Sequence, residues 1–326
     1  MVKQFRIATF NLENLDDKDQ EQFDERKKVL QPMIERINAD ILFLQEVNKP
    51  QALDKLIEGT IYKTENFSQS ITVSSSGNPY PTRNLVTLSR FNIEETHQYR
   101  NTKVNYPKWQ KVTSIPEETE AKTMWWERPI LHSVIKLAGN KKLHAINLHL
   151  KSKNPTYVRG QRDENKYYLW YSHEGWAEGY FLSAVKRVGQ ALEVRKVLAE
   201  LLSSNPLETL IAVGGDFNAE IGSVPFKTIV GSVTDTNNPD LRSTLMIPCE
   251  LNVPPDRRYS HLYYGEKAML DHVVVSNALF PYWDRTEIYN EMLPDESVAY
   301  ATDIKFPESD HAPVIAMFNL PENWLP

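Results

Sequence analysis

Hydrophobic and polar positions along the chain switch repeatedly between strand and helix periods. Residues 5–12 alternate as a strand that ends near Asn11, and an acidic, turn-like stretch follows. From about residue 20 to 38, Val29, Leu30, Met33, Ile34 and Ile37 recur at helical spacing. Residues 39–47 form a continuous apolar run closed by Glu46, the mark of a buried strand. A short helix is predicted over residues 50–58. Strands are predicted over 71–73, 84–89 and 92–96, separated by Ser-, Gly- and Pro-rich turns.

Residues 99–127 are irregular and aromatic, a long loop or hairpin. Arg128-Pro129 opens a strand through residue 137, Gly139-Asn140 makes a hairpin turn, and residues 142–150 return through His149. A second polar-aromatic excursion spans 151–180, and a helix is expected over about 181–203. The apolar run Leu210-Ile211-Ala212-Val213 then ends in Gly214-Gly215-Asp216-Phe217-Asn218. Glycines there allow a sharp turn and a close approach. Asp216 and Asn218 are two apart, so in extended backbone they face one side. A short helix over 224–230, paired strands over 259–264 and 269–276, and a last strand over 312–318 complete the pattern. No repeat or Pro/Gly linker divides the 326 residues, so one domain is the expectation.

Composition narrows the function classes. A content of 41% hydrophobic and 25% charged residues fits a protein with a sizeable buried core. The net charge of −6 argues against a protein that coats nucleic acid or anionic membranes, because no global basic field exists. It does not argue against a nuclease, whose substrate can be met by local cations or a metal. Cys249 is the only cysteine, so there is no disulfide partner and a reducing compartment fits. No apolar run approaches the ~18 residues of a membrane span, and no signal-peptide core opens the chain. A cytoplasmic location is the expectation, with a removed leader still compatible.

Several predicted strands end in a polar group: Asn11, Glu46, His149, Asp216 with Asn218, and Asp310 with His311. Asp271 begins its own strand. Taken singly, each has an ordinary reading as a turn residue, helix cap or surface histidine. Together, strand ends on one rim of a sandwich converge on a cleft. The motifs Thr9-Phe10-Asn11, Gln45-Glu46, His149-Leu150-Lys151-Ser152-Lys153, Gly215-Asp216-Phe217-Asn218, Leu270-Asp271-His272 and Ser309-Asp310-His311 resemble the endonuclease/exonuclease/phosphatase superfamily, the group of deoxyribonuclease I-like enzymes. They occur in that family's order, and bacterial nuclease-like members are the nearest in pattern.

The resemblance implies an α/β fold, a four-layer sandwich of two mixed sheets face to face with helices outside. It implies a Mg²⁺ or Mn²⁺ ion held by Glu46, Asn11 and Asp310, and hard oxygen ligands favour such an ion on chemical grounds as well. Asp271 would fix His311. Asp216 would orient or deprotonate the attacking water, with His311 the other candidate base. Asn218 would donate to a phosphoryl oxygen, His149 would face the scissile phosphate, and Arg128 would contact phosphate. The implied activity is metal-dependent hydrolysis of a phosphate ester. Nucleic acid is the leading substrate, a small phosphodiester, nucleotide or inositol phosphate the next, a lipid after that, and a non-catalytic binding module the remote alternative. The cations and rings of 151–180 suit a nucleic-acid strand; they equally suit a surface loop with its aromatics packed beneath it.

Overall fold

In the computed structural model, which describes residues 1–302 and 304–325, two six-stranded sheets stack face to face. The first runs, edge to edge, Trp283–Ile288, Val314–Pro321, Val2–Leu15, Ile41–Val47, Asn84–Ser89 and Ser68–Ile71. The second runs Met246–Pro248, Asp271–Ser276, Leu210–Asp216, Lys142–His149, Ile130–Lys136 and Ile93–Tyr99. Both are mixed. Val2–Leu15 lies parallel to Ile41–Val47 and antiparallel to Val314–Pro321. Leu210–Asp216 lies parallel to Lys142–His149 and antiparallel to Asp271–Ser276.

The central strands are apolar on both faces because both faces are covered. Ile41 and Phe43 point between the sheets and meet Leu143, Ala145, Ala212 and Val273. Leu42 and Leu44 point outward to Leu30, Ile34 and Leu53 of the helices Gln20–Ile37 and Pro50–Leu56. On the far side, Val194, Val197 and Leu198 of the helix His173–Leu201 cover Ile146, Ile211 and Val213. The outcome is the expected four-layer sandwich.

A polar bridge crosses the apolar interior. Gln45 Nε2 donates to Asn147 Oδ1 at 2.8 Å, and Asn147 Nδ2 donates to the main-chain oxygens of Leu44 and Val86. These amides are fully buried, so each needs its partners, and the bridge pins the two sheets directly beneath Glu46.

Three expectations need correction. The helix expected from about residue 181 begins at His173, two turns earlier, capped by Ser172 Oγ accepting from Gly175 N. Gly175 and Gly179 lie in its first turns, where the excursion packs tight: added Cβ atoms would strike Gln161 and the Thr156 oxygen. The segments 259–264 and 269–276 do not pair with each other. His261–Tyr263 pairs with Glu266–Ala268 as a small hairpin, and Asp271–Ser276 joins the second sheet instead. Finally, the edge strand Trp283–Ile288 and the short strand Met246–Pro248 carry no clear apolar period and escape a sequence reading.

The outer face of the second sheet holds a buried histidine outside the cleft. His132 Nδ1 meets the Tyr99 hydroxyl at 3.2 Å and its Nε2 meets His144 Nδ1 at 3.0 Å. Burial, then His144 and His97, push its pKa down to about 3. The folded state therefore holds it neutral, and the unfolded chain takes up a proton first as pH falls. Stability from this group is complete above about pH 6.5 and drains away between there and pH 3. Melting curves at pH 7 and pH 4.5 should show a smaller acid loss for His132→Phe than for wild type; parallel losses would refute the assignment.

Candidate active site

At the rim, irregular backbone aims the side chains. The pairing of Val2–Leu15 with Ile41–Val47 shifts register between Asn11 and Leu15, and Ile41–Val47 shifts against Asn84–Ser89 between Leu44 and Val47. Within these bulges Glu13 (φ 43°), Asn14 (φ 52°) and Glu46 (φ 57°) are left-handed, a conformation costing non-glycine residues on the order of 1 kcal/mol or more each. Bulges of this kind redirect a side chain out of the ladder. Glu46 thereby faces the cleft, where its Oε2 accepts from Asn14 N at 3.1 Å.

Asp216 is the hub. Its Oδ1 accepts from Asn218 N at 2.8 Å. Its Oδ2 accepts from Asn218 Nδ2 at 2.9 Å, His149 Nε2 at 3.2 Å and Asn11 Nδ2 at 3.3 Å. Burial alone would raise the pKa of this carboxyl, but His311 and His149 outweigh it and hold the group well below the usual range. Asp216 and Asn218 do share a side, though not by the pleat: Asp216 ends its strand and Asn218 turns back on it in a left-handed conformation (φ 48°). Nor is the close approach at Gly214-Gly215 that of a ligand. An added Cβ at Gly214 would lie 2.4 Å from the Phe43 ring of the facing sheet, and one at Gly215 would lie 1.9 Å from the Leu148 oxygen of the neighbouring strand.

His311 follows at the opposite wall. Its Nδ1 meets Asp271 Oδ2 at 2.6 Å, leaving Nε2 directed at Asp216 Oδ2 (3.9 Å) and Asp310 Oδ1 (4.0 Å). Burial would lower its pKa, but Asp271, Asp310 and Asp216 together raise it well above the ordinary histidine value. Ser260 Oγ accepts from Leu270 N and Asp271 N and so fixes the acidic partner. On the other side, His149 Nε2 stands 3.7 Å from Glu46 Oε1, while its Nδ1 is buried without a partner among the described residues. Burial, then Arg128, lowers the pKa of His149. Arg128 Nη1 and Asn218 Nδ2 donate to the same Leu150 oxygen, at 3.1 Å each, which places the guanidinium beside the amide.

All nine residues singled out in the sequence therefore meet in one cleft. Sequence reading missed others. Glu13, two residues after Asn11, was part of what looked like an acidic turn; its Oε2 accepts from Asp310 N at 3.2 Å, and its pKa is pushed up to about 8 by burial, then by Asp310. Arg83, from a loop without a periodic signal, brings Nε to 3.9 Å from Glu46 Oε1. His272 Nδ1 pairs with buried Glu250 and its Nε2 reaches the Ala219 oxygen, bracing the turn after Asp216.

The donor set fits a hard divalent cation. Asp310 Oδ1 is buried with no hydrogen-bond partner among the described residues, and the pKa of this carboxyl is pushed up to about 6 by burial, with Glu296 and Glu46 adding to the rise. Arg26, the nearest buried cation to Glu13, donates instead to the main-chain oxygens of Leu12 and Glu13. The carboxylates of Glu46 and Asp310 and the side-chain oxygen of Asn11 are the hard donors that Mg²⁺-like ions use, and an ion there would share the Glu46 charge with Arg83, 3.9 Å away.

The sequence matches the endonuclease/exonuclease/phosphatase family over residues 8–311. The chain belongs to that family. Members of the family are hydrolases of phosphate esters, and the family generally works with a divalent metal. Solved structures of the same fold include truncated TDP2 from Caenorhabditis elegans, 16% identical, covering 97% of each chain with a TM-score of 0.56. A mannosyl-6-phosphatase from Bacteroides thetaiotaomicron is 15% identical, covering 96% of this chain and 98% of its own, with a TM-score of 0.55. The 3′ phosphatase NExo from Neisseria, bound to a product DNA hairpin, is 15% identical over 96% of this chain and 99% of its own, with a TM-score of 0.52. No curated protein matches the sequence.

Proposed function

We propose that this family member is a divalent-metal-dependent hydrolase of nucleic-acid phosphate esters that acts by in-line attack of water. The observation that carries the reading is the arrangement around Asp216. An anionic carboxylate with its donors in place faces an imidazole whose other nitrogen is held by a second carboxylate. Asp216, whose Oδ2 stands 3.9 Å from His311 Nε2, orients the attacking water or takes its proton. His311, kept in one orientation by Asp271, donates from Nε2 to a non-bridging oxygen as charge grows there. Arg128, only one N–H of which goes to the Leu150 oxygen, binds a phosphoryl oxygen; Asn218 Nδ2, whose two protons go to Asp216 and Leu150, would give up one of those bonds to bind another, and His149 closes the wall behind them. A Mg²⁺ or Mn²⁺ ion held by Glu46, Asn11 and Asp310 would supply positive charge to the phosphate and the leaving oxygen.

Nucleic acid leads because of the second excursion. Trp170 is half-buried against Met124, Val158 and Leu182, so part of the segment is an anchored loop. Tyr167, Tyr168, Tyr171, Trp176 and Tyr180 are exposed, with Arg159 and Lys166 among them. Exposed rings interleaved with cations offer stacking and phosphate contacts to an unpaired strand. A small phosphate ester stands second, because the groups gathered around Asp216 would act on the phosphate alone and need no polymer.

The test is turnover of plasmid DNA, single-stranded DNA, RNA, bis-p-nitrophenyl phosphate, nucleotide monoesters, sphingomyelin and an inositol phosphate in Mg²⁺ and in Mn²⁺. Polymer cleavage abolished by EDTA is the expected result. Turnover of small esters alone would move the assignment to the second reading, and metal-replete silence throughout would overturn both.

A further inference from the structure

Beside His311 stands a second histidine–carboxylate pair that the hydrolytic scheme does not use. The backbones of His261 and His311 meet in a single antiparallel bridge, with Ala312 N donating to Ser260 O at 2.8 Å, and their rings lie 5.3 Å apart. His261 Nε2 meets Glu296 Oε2 at 2.8 Å. The pair is built into the fold. Glu296 opens the helix Glu296–Ala301, whose cap Asp295 accepts from Tyr264 N and Gly265 N and so ties that helix to the hairpin carrying His261. Tyr300, from the same helix, packs edge-on to Tyr263 at 6.4 Å and forms the outer lip.

A ring nitrogen of His261, a ring nitrogen of His311 and a carboxylate oxygen of Asp310 all lie within 4.8 Å of one another. His261 is therefore one group away from the reacting phosphate. With Nε2 committed to Glu296, Nδ1 is the remaining nitrogen, and the described residues make no hydrogen bond to it. An imidazole that donates one N–H to a carboxylate offers a lone pair at its other nitrogen, which accepts from an O–H. The acidic neighbours Glu296 and Asp310 disfavour a second phosphate at this point and leave a neutral hydroxyl as the fitting group. A hydroxyl that reaches one group beyond the ester oxygen sits on the carbon next to the esterified one.

We propose that His261 and Glu296 form a specificity-determining pair that hydrogen-bonds this vicinal hydroxyl, so that ribose esters are preferred over their 2′-deoxy counterparts. The proposal rests on the phosphoesterase reading of the same cleft. Its residues bind substrate and take no part in moving the water proton.

The experiment compares single-stranded RNA and DNA of one sequence, with bis-p-nitrophenyl phosphate as the ester lacking the hydroxyl. Saturation curves are taken for the full chain, His261→Phe and Glu296→Gln at several Mn²⁺ concentrations. Wild type should favour RNA in kcat/KM by about tenfold, the worth of one well-placed hydrogen bond. His261→Phe should bring the RNA-to-DNA ratio close to one, mainly through KM for RNA, with the metal requirement unmoved. Glu296→Gln should lower the ratio in part, and it carries the test if His261→Phe fails to fold. RNA with 2′-O-methyl groups should behave as DNA does. Absence of a ribose preference in wild type would overturn the proposal, as would equal losses on all three esters. So would a raised metal requirement in His261→Phe, which would make His261 a metal ligand. Wild type inert on every ester would overturn the phosphoesterase reading and this one with it; turnover without the substrate-dependent loss overturns this one alone.

Discussion

His311→Asn should lower kcat/KM by at least about 100-fold on whichever ester the protein hydrolyses, the usual scale for losing a general acid–base or charge-stabilising group. Asparagine keeps an amide donor near Asp271 Oδ2, where Nδ1 now sits at 2.6 Å, so the buried carboxylate retains a partner while the Nε2 position is lost. The melting temperature should therefore stay close to that of wild type. His311→Ala should lose the same rate and also melt earlier, because Asp271 would be left buried and unpaired, a change that costs about 3–5 kcal/mol. Steady-state kinetics and thermal melts on the three proteins separate the two effects. Activity of His311→Asn within tenfold of wild type would remove His311 from the reaction.

Gly215→Ala should be the most damaging single substitution for the fold. The added carbon would stand 1.9 Å from the Leu148 main-chain oxygen, which belongs to the adjacent central strand and cannot swing aside. The backbone there (φ 145°) is also one that L-residues rarely adopt. A loss above about 3 kcal/mol or failure to accumulate as soluble protein is expected, since both strain and clash act on the strand that carries Asp216. Gly214→Ala meets a side chain, the Phe43 ring at 2.4 Å, and should be milder. Urea unfolding of both variants tests the order; a Gly215→Ala protein as stable as wild type would show that the strand tolerates a shift.

What could be read from the sequence follows from where information is stored locally. Strands such as Ile41–Val47 and Leu210–Asp216 announce themselves because burial on both faces demands unbroken apolar runs. Site residues sit just past those runs, so Glu46, His149 and Asp216 stand out as polar groups at apolar strand ends. The family's motifs linked them into one set. Features that depend on distant partners stayed hidden. His261 gains its character from Glu296, 35 residues away, and Glu13 from Asp310, 297 residues away. The first turns of the helix His173–Leu201 were concealed by Gly175 and Gly179, whose reason is the excursion packed against them. The partner of Asp271–Ser276 was misjudged because a nearby hairpin offered the local alternative.

The Ser309 hydroxyl donates to the Asn11 oxygen at 2.7 Å across 298 residues, and Val314–Pro321 zips along Val2–Leu15 beside that bond. Closing so large a loop is slow, because the entropy of bringing its ends together is lost before any contact compensates. In a refolding experiment the sandwich can regain most of its secondary structure while Asp310 and His311 are still absent from the cleft. Enzymatic activity would then return last, and a turnover assay would serve as a clock for the completion of the final strand.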